Sequence, residues 1–390
     1  MPVFVPVLVH TERSAAYDFG RSHPLRPERV TLAVALMRAY GLIAEPEDAE
    51  SEGAFRVLEP YPAREDQLMR VHTREYIAVV KAASERPETF WARKGLGEGD
   101  TPVFAGMHAA ASLIAGGSIA AIREVLAGRT TRAFHPAGGL HHAHRDHAAG
   151  FCVYNDAAAG IAWALTRGTD LRVAYIDIDA HHCDGVQEAF YAEPRVLTIS
   201  VHESGRYLFP GTGWPDERGE GAGAGSAINL PLPPYATDAC YRLVFDEAIA
   251  PAVREFAPHI IVSQNGADAH WSDPLTTLGM TLAGHAWLAH RIRALADEVC
   301  GGRLVALGGG GYAWATVVPR AWTLVAASLA GVRLPDELPE SWRELVSGYG
   351  VDAPRTLFED DGPPLEEGDQ QRLLEQTRLS IARLQAEPHG

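Results

Sequence analysis

The chain has 390 residues, of which 46% are hydrophobic and 22% are charged, values that fit a globular protein with a large core. Its formal net charge of −16 argues against a general nucleic-acid or anionic-membrane binder and is compatible with a cationic substrate. The four cysteines are far apart and form no CxxC pair, so neither a disulfide framework nor a structural zinc knuckle is predicted.

The N-terminal segment MPVFVPVLVH contains two prolines and no Lys or Arg, so no signal peptide is predicted. The longest apolar run, residues 107–122, is interrupted by Gly116, Gly117 and Ser118, which argues against a membrane span. We therefore expect a cytoplasmic location, with neither a membrane nor a nucleic acid as partner.

Five short β-branched segments lack a simple alternation of polar and apolar residues, which is typical of strands covered on both faces. They are residues 3–10, 172–179, 195–202, 259–266 and 303–309. Helical stretches such as 239–256 and 282–299 alternate with them, so the predicted fold class is α/β, with a central parallel sheet flanked by helices. The Gly- and Pro-rich segment 201–238 is predicted to be a long functional loop.

Beyond about residue 331 the composition becomes polar and rich in proline, as in LPDELPESW and FEDDGPPLEEGD. We therefore predict a main domain at residues 1–330 and a C-terminal extension at residues 331–390. A final helix is predicted at about 368–386, and one stripe of it is expected to pack on the body of the protein or on a partner subunit. The stripe consists of Leu373, Thr377, Ile381 and Leu384.

Ionisable residues are concentrated in the stretch YIDIDAHHCDG, where a predicted strand ends. Asp177, Asp179 and His181 share one face of an extended strand, because alternate residues point the same way. Asp184 follows in the turn. Buried carboxylates need a cation or hydrogen-bond donors, because burying them unpaired is costly. A solvated strand end is the alternative, but the flanking residues are apolar, and we interpret the stretch as a metal site.

Two further strands end in residues that suit such a site. Asp268 follows one strand, in QNGADAH, and Tyr312 follows the glycines after the next, in GGGGY. Ligands of open α/β sheets bind outside the carboxyl ends of the strands, so both side chains are expected near Asp179 and His181. One histidine and two carboxylates leave open positions on a metal, as catalysis requires.

A fourth segment, HPAGGLHHAHRDHAAGFCVYND, contains the adjacent pair His141 and His142. Adjacent histidines are often surface residues, but the small residues and glycines around this pair indicate a precise loop. His144 and His147 are interpreted as surface residues. Cys152 is interpreted as a packed small residue and not as a nucleophile.

With these motifs in this order, the sequence resembles the histone deacetylase superfamily, and within it the bacterial acetoin-utilisation AcuC-type deacetylases. The matching segments are HPLRPERV, GDTPVF, GGLHHA, GFCVYND, DIDAHHCDGVQEAF, SVHESGRYLFPGTG, QNGADAH and GGGGY, which together span about residues 20–330. The resemblance implies a three-layer arginase/deacetylase fold. It also implies zinc-dependent hydrolysis of Nε-acetyl-lysine in proteins, in which metal-activated water attacks the acetamide and releases acetate and free lysine.

The resemblance assigns roles to individual residues. The zinc ligands are expected to be Asp179, His181 and Asp268. His142 resembles the general base, His141 the neighbouring histidine that supports the transition state, and Tyr312 the donor that polarises the acyl oxygen. Asp177 and Asp184 match the acidic partners of His141 and His142, respectively.

Further positions carry over to the substrate tunnel and to a second ion. The substrate-binding residues implied are Asp100 at the rim, Phe151 and Phe209 in the tunnel walls, Gly150 and Gly310. Arg29 matches an arginine that lines an internal exit cavity. A structural potassium ion is implied at Asp177, Asp179, His181, Ser200 and Val201, much of it through backbone carbonyls. Fe²⁺ is the alternative to Zn²⁺ as the catalytic metal.

One residue departs from the pattern of the family. Cys183 stands where relatives usually have glycine, and a cysteine there would be strained if the position required a positive φ. Because the flanking residues are intact, we expect a local adjustment and not the loss of the site.

Other functions that the resemblance allows match the sequence less well. Acetylpolyamine amidohydrolases usually carry a Pro-Pro-Gly-His-His loop, whereas this chain reads PAGGLHH at 136–142. A binuclear manganese ureohydrolase would need additional aspartate ligands, and a binding protein without activity would lack a catalytic group. The predicted partner is therefore an acetylated protein or peptide lysine, with acetylated acetyl-CoA synthetase as a candidate.

Overall fold

The computed structural model describes residues 5–43, 55–97, 99–359 and 361–385. Its strands are β1 Val7–Val9, β2 Arg56–Leu58, β3 Arg132–His135, β4 Val173–Asp177, β5 Val196–Glu203, β6 Ala227–Leu232, β7 Ile260–Gln264 and β8 Leu304–Leu307. They form one sheet in the order β2-β1-β3-β8-β7-β4-β5-β6, and all the pairings are parallel. The predicted parallel α/β sheet is thereby confirmed.

Helices connect the strands. They are α1 Glu28–Ala39, α2 Glu65–Leu68, α3 Arg74–Glu85, α4 Met107–Leu126, α5 Asp156–Leu165, α6 Asp184–Phe190, α7 Asp238–Val244, α8 Ala250–Phe256, α9 Leu282–Cys300, α10 Val318–Ala330, α11 Glu340–Ser347 and α12 Asp369–Gln385. A π-helical turn at Phe245–Ile249 joins α7 to α8, so the stretch predicted at 239–256 is helical throughout.

Both faces of the sheet are buried. Along β4, Val173 and Tyr175 belong to one apolar cluster, whereas Ala174 and Ile176 belong to another. Alternate residues of a strand point to opposite faces, so the two clusters lie on the two sides of the sheet. This is why the strands lack a simple polar–apolar alternation.

Three short strands, β2, β3 and β6, do not appear among the predicted segments. The most informative is β6, because it lies inside the segment 201–238 that we predicted to be a loop. It pairs with β5 from Thr198 to Glu203, and four of its six residues are buried. The N-terminal strand is shorter than predicted and starts at Val7, while residues 3 and 4 lie outside the described part of the chain.

The apolar run at 107–122 forms part of the continuous helix α4, so its glycines do not interrupt it. They allow close packing instead: a Cβ at Gly116 would lie 1.8 Å from the Tyr61 carbonyl oxygen, and one at Gly117 would lie 2.4 Å from the His135 ring. Among the described residues, α4 alone is long and apolar enough to cross a membrane, but 83% of that stretch is buried inside the protein, as in a core helix.

The C-terminal segment contacts the body of the protein at several places. Helix α12 packs against β6 and α7, and its predicted stripe of Leu373, Thr377, Ile381 and Leu384 is buried. The indole N–H of Trp342, in α11, donates a hydrogen bond of 2.9 Å to the Leu32 carbonyl. The division into a domain at 1–330 and an extension at 331–390 stays a prediction.

The strand order brings the predicted site together. The neighbouring strands β3, β8, β7 and β4 occupy the middle of the sheet, and in a parallel sheet their carboxyl ends lie along one edge. The segments that follow these four strands carry, in the same order, the His141–His142 pair, Tyr312, Asp268, and Asp179 with His181.

Candidate active site and metal centre

Asp179, His181 and Asp268 each place one ligand atom within 4.8 Å of the others. His181 Nδ1 lies 3.0 Å from Asp179 Oδ1 and 3.0 Å from Asp268 Oδ2, and all three residues are buried. Burial, and then the negative charge of Asp179, raise the pKa of Asp268. A cation would stabilise two carboxylates that are buried this close, and a set of one imidazole and two carboxylates fits a divalent metal of the zinc type.

Neighbouring groups fix the orientation of the two carboxylates. Asp179 Oδ2 accepts hydrogen bonds from Gln264 Nε2 at 2.6 Å and from the Gly310 N–H at 2.7 Å. Asp268 Oδ1 accepts one from the Ala180 N–H at 2.9 Å. Residue 310 must be glycine for this approach, because a Cβ there would lie 2.0 Å from Asp268 Oδ2. The second oxygen of Asp268 is left to face the shared centre.

His141 and His142 lie beside these ligands, with their Nε2 atoms 3.0 Å apart. His141 Nδ1 lies 2.8 Å from Asp177 Oδ2, and His142 Nδ1 lies 2.7 Å from Asp184 Oδ1. Burial alone would lower the pKa of His141, but the charges of Asp177 and Asp179 raise it to about 9. Burial and the positive charge of His141 lower the pKa of His142 to about 4. His142 is thus neutral and able to accept a proton at Nε2.

A narrow cavity leads to these groups. It is lined by Leu25, Gly139, Leu140, His141, His142, Gly150, Phe151, Cys152, Asp179, Gly309, Gly310 and Tyr312. The Phe209 ring lies edge to face with His142, 5.0 Å between centroids, and the Phe151 ring lies 5.7 Å from Tyr312. Burial raises the pKa of the Tyr312 hydroxyl, so it remains a proton donor. A Cβ at Gly150 would lie 2.4 Å from the His142 ring, which explains a glycine at this wall.

Phe151 adopts a left-handed backbone conformation, with φ of 68°, which is unusual for a bulky residue. Tyr17 holds it there: its hydroxyl donates to the Phe151 carbonyl at 2.7 Å and accepts from the Val153 N–H at 3.0 Å. Sequence reasoning missed Tyr17, because it lies more than 130 positions from these partners and outside the matching motifs. It supports one wall of the cavity from behind.

Two predicted residues flank the cavity. Asp100 is exposed, and its carbonyl accepts a hydrogen bond of 3.2 Å from His23, whose ring lies 4.6 Å from that of Phe151. Arg29 is buried and donates to the Gly309 carbonyl at 2.7 Å. It lines a second small cavity that shares Leu25 and Leu140 with the first. The roles of Asp100 and Arg29 in substrate binding and product exit stay predictions.

The residues of the predicted potassium site also lie together. Asp177 and Ser200 are opposite each other in the β4–β5 pairing, and Val201 follows Ser200 in β5. Asp177 Oδ1 accepts the Asp179 N–H at 3.0 Å, and the His181 N–H donates to Asp179 Oδ1 at 3.0 Å. Potassium binding here stays a prediction.

The structure contradicts the sequence interpretation at His144 and shows no backbone strain at Cys183. His144 is not a surface residue: its side chain is 17% exposed, and it is hydrogen-bonded to Asp184 and Glu188. Cys183 is buried and has a φ of −79°. That backbone conformation is open to any residue, so replacing glycine by cysteine imposes no left-handed strain here.

Known proteins match the chain over most of its length. The model of the histone deacetylase domain matches residues 23–329. The chain belongs to the histone deacetylase family. Acetoin utilization protein AcuC of Bacillus subtilis (strain 168) is 41% identical over 338 residues, which are 86% of this chain and 85% of that protein. Its counterpart in Staphylococcus xylosus is 36% identical over 356 residues, 90% of each chain.

Solved structures agree with this family membership. A histone deacetylase homologue in complex with SAHA superimposes with a TM-score of 0.84 at 31% identity, covering 98% of this chain and 100% of that one. A homologue from Aquifex aeolicus gives a TM-score of 0.81 at 31% identity, covering 96% and 100%. The fold is the arginase/deacetylase fold, and the protein is a hydrolytic deacetylase whose substrate class is acetylated lysine.

Proposed function

We propose that the protein hydrolyses Nε-acetyl-lysine in proteins or peptides with a zinc ion held by Asp179, His181 and Asp268. One observation carries the proposal. The three ligand atoms lie within 4.8 Å of one another, and one of the ligand residues, Asp179, lines the same narrow cavity as the His141–His142 pair and Tyr312. The donor set suits Zn²⁺, and Fe²⁺ is the alternative that the test below includes.

Each residue of the site has its own role in the proposed amide hydrolysis. A divalent ion at the three ligands would polarise the acetyl carbonyl and lower the pKa of a water molecule to about 7. His142 Nε2 accepts a proton as the water oxygen attacks the carbonyl carbon, and returns it to the lysine nitrogen as the C–N bond breaks. Asp184 holds the Nδ1–H of His142 and thereby keeps Nε2 available. The Tyr312 hydroxyl donates to the oxygen that gains negative charge.

The surroundings of the cavity support a long, slim substrate. The Phe209 ring packs on His142 and the Phe151 ring packs on Tyr312, which suits the alkyl chain of lysine. The exposed Asp100 is the proposed rim carboxylate. The net charge of −16 favours basic substrates in general. Acetylated acetyl-CoA synthetase, a structural potassium ion and a cytoplasmic location remain predictions attached to this proposal.

The test is a steady-state assay with an acetyl-lysine peptide and with N-acetylputrescine, using protein reconstituted with Zn²⁺ or with Fe²⁺. We expect turnover of the peptide, and a Tyr312→Phe variant whose kcat is lower by about 10²–10³, the usual effect of removing one oxyanion donor. Tyr61→Phe, the same chemical change at a residue that is 80% exposed, serves as the matched control. Faster turnover of N-acetylputrescine than of the peptide would instead indicate an acetylpolyamine amidohydrolase. No turnover of either substrate would contradict the proposal.

A further inference from the structure

His144 extends the His142–Asp184 pair towards the surface of the protein. Its Nε2 lies 3.2 Å from Asp184 Oδ2, and its Nδ1 is hydrogen-bonded to Glu188 Oε2. The other oxygen of Asp184, Oδ1, lies 2.7 Å from His142 Nδ1. One carboxylate therefore bridges two imidazoles, and the four side chains form a continuous chain from the cavity to Glu188, which is half exposed.

The backbone of His144 is held by contacts that do not involve its side chain. Its N–H donates to the His147 carbonyl at 2.9 Å, and its carbonyl accepts a hydrogen bond of 2.9 Å from His72 Nδ1. The His147 ring stacks on the His144 ring, with centroids 4.4 Å apart and planes at 10°. The imidazole is therefore presented to Asp184 in one orientation, and the loop has anchors that a change of the side chain would leave in place.

The partners of His144 define its protonation. Both ring nitrogens face carboxylate oxygens, so both act as donors, and an imidazole with two N–H donors is a cation. Burial alone would lower the pKa of His144, but the hydrogen bonds to Asp184 and Glu188 raise it to about 10. A fixed cationic donor thus occupies the oxygen of Asp184 that His142 does not use.

We infer that His144 is a positioning residue that orients Asp184 so that its Oδ1 holds the Nδ1–H of His142. The inference rests on the proposed role of His142 as the general base. Asp184 Oδ1 also accepts the Gly185 N–H at 2.9 Å, whereas Asp184 Oδ2 has His144 as its only hydrogen-bond partner in the described part of the chain. Removing the His144 donor therefore leaves one carboxylate oxygen without a partner and loosens the orientation of Asp184 towards His142. The pair of His142 and Asp184 is therefore part of a hydrogen-bonded chain of four side chains, which continues through His144 to Glu188.

A double-mutant cycle on the zinc-loaded full chain separates this role from general stabilisation of the fold. We expect His144→Phe to lower kcat about 10-fold, a loss typical for an outer hydrogen-bond partner, with KM changed by less than about twofold. In the Asp184→Asn background the same change should have little further effect, because residues that act through one another are not additive. His144→Gln, which keeps a side-chain N–H donor, should recover most of the activity.

Two further variants complete the experiment. His290→Phe makes the same change at an exposed histidine of α9, so its kcat should equal that of the parent. Glu188→Gln removes only the charge at the far end of the chain, and we expect a fall in kcat smaller than that of His144→Phe. Thermal unfolding and zinc content are measured for every variant, and if His144→Phe fails to fold, His144→Gln and Glu188→Gln carry the test.

The outcomes separate the inference from the proposed function. An unchanged kcat in His144→Phe, or a loss that persists undiminished in the Asp184→Asn background, would overturn the positioning role. Full activity of His142→Ala and Asp184→Asn would instead overturn the proposed general base. A loss of kcat at His144 that disappears in the Asp184→Asn background supports both.

Discussion

His141 and His142 are neighbours in the chain, yet their carboxylate partners lie in different surroundings. Asp177 belongs to the central strand β4 and is completely buried. Its two oxygens receive the Tyr175 hydroxyl at 2.6 Å, the Asp179 N–H at 3.0 Å and His141 at 2.8 Å. Asp184 instead starts the short helix α6, has a side chain that is 11% exposed, and shares its charge between two histidines.

The difference indicates a division of labour. Two of the three donors on Asp177, Tyr175 and Asp179, come from its own strand and the turn that follows, so its position is set mainly by the core of the sheet. Asp184 accepts one backbone hydrogen bond, from the Gly185 N–H at 2.9 Å, and otherwise depends on side chains from a loop, where substitution can tune its geometry without disturbing the sheet. In the proposed mechanism, the first pair would hold a positive charge beside the metal ligands, and the second pair would transfer the proton.

The largest expected difference is catalytic. His142→Ala should lower kcat by about 10²–10⁴, the contribution typical of general acid–base catalysis. His141→Ala should cost less, because in the proposed scheme that residue stabilises charge and transfers no proton. Steady-state kinetics of both variants with the acetyl-lysine peptide, at equal zinc content, measure the difference. A greater loss in His141→Ala would reverse the roles given to the two pairs.

A second difference should appear in stability. Asp177→Asn replaces a carboxylate oxygen by an amide donor within a fully buried network, and we expect the free energy of unfolding to fall by about 2–3 kcal/mol. Asp184→Asn should cost about 1 kcal/mol or less, because the side chain reaches solvent. Urea denaturation of both variants, compared through midpoints at constant slope, provides the measurement. Equal losses would mean that the strand position gives Asp177 no added rigidity.

Part of the surroundings of Asp177 could be predicted from the sequence. The strand that carries Asp177 could be predicted, because its apolar residues form a continuous run and its polar residues come together at the end. The edge that gathers Asp179, Asp268 and Tyr312 could also be predicted, because parallel strands align their carboxyl ends. These expectations depend only on local pattern and on a general rule of sheet topology.

Other features could not be predicted from the sequence, because they depend on contacts between distant segments of the chain. The role of His144 depends on Asp184, 40 positions away, and its sequence neighbourhood resembles that of His147, which is far more exposed. The glycines of α4 suggested an interruption, but they mark close packing against His135 and the Tyr61 carbonyl. Strand β6 was not predicted, because the segment around it is rich in Gly and Pro.

A further buried histidine, His135, differs from both His141 and His142, because its partner is a hydroxyl and not a carboxylate. His135 Nδ1 donates to Ser118 Oγ at 3.0 Å, and the Ser118 hydroxyl in turn donates to Asp156. Without an adjacent carboxylate to oppose it, burial lowers the pKa of His135 to about 3, whereas the carboxylates around His141 raise the pKa of that residue. His135 should therefore destabilise the protein in acid.

The sign follows from the protons bound in each state. Between an unfolded pKa of about 6.5 and the folded value of about 3, the unfolded chain binds one proton more at residue 135 than the native protein. The free energy of unfolding should then fall by about 1.4 kcal/mol per pH unit from this residue as the pH is lowered through that window. His135→Gln, which cannot titrate and keeps a donor for Ser118, should show a slope smaller by this amount in urea denaturation between pH 6 and 4. Parallel slopes for the two proteins would mean that His135 accepts a proton in the native state and that burial without a carboxylate does not keep it neutral.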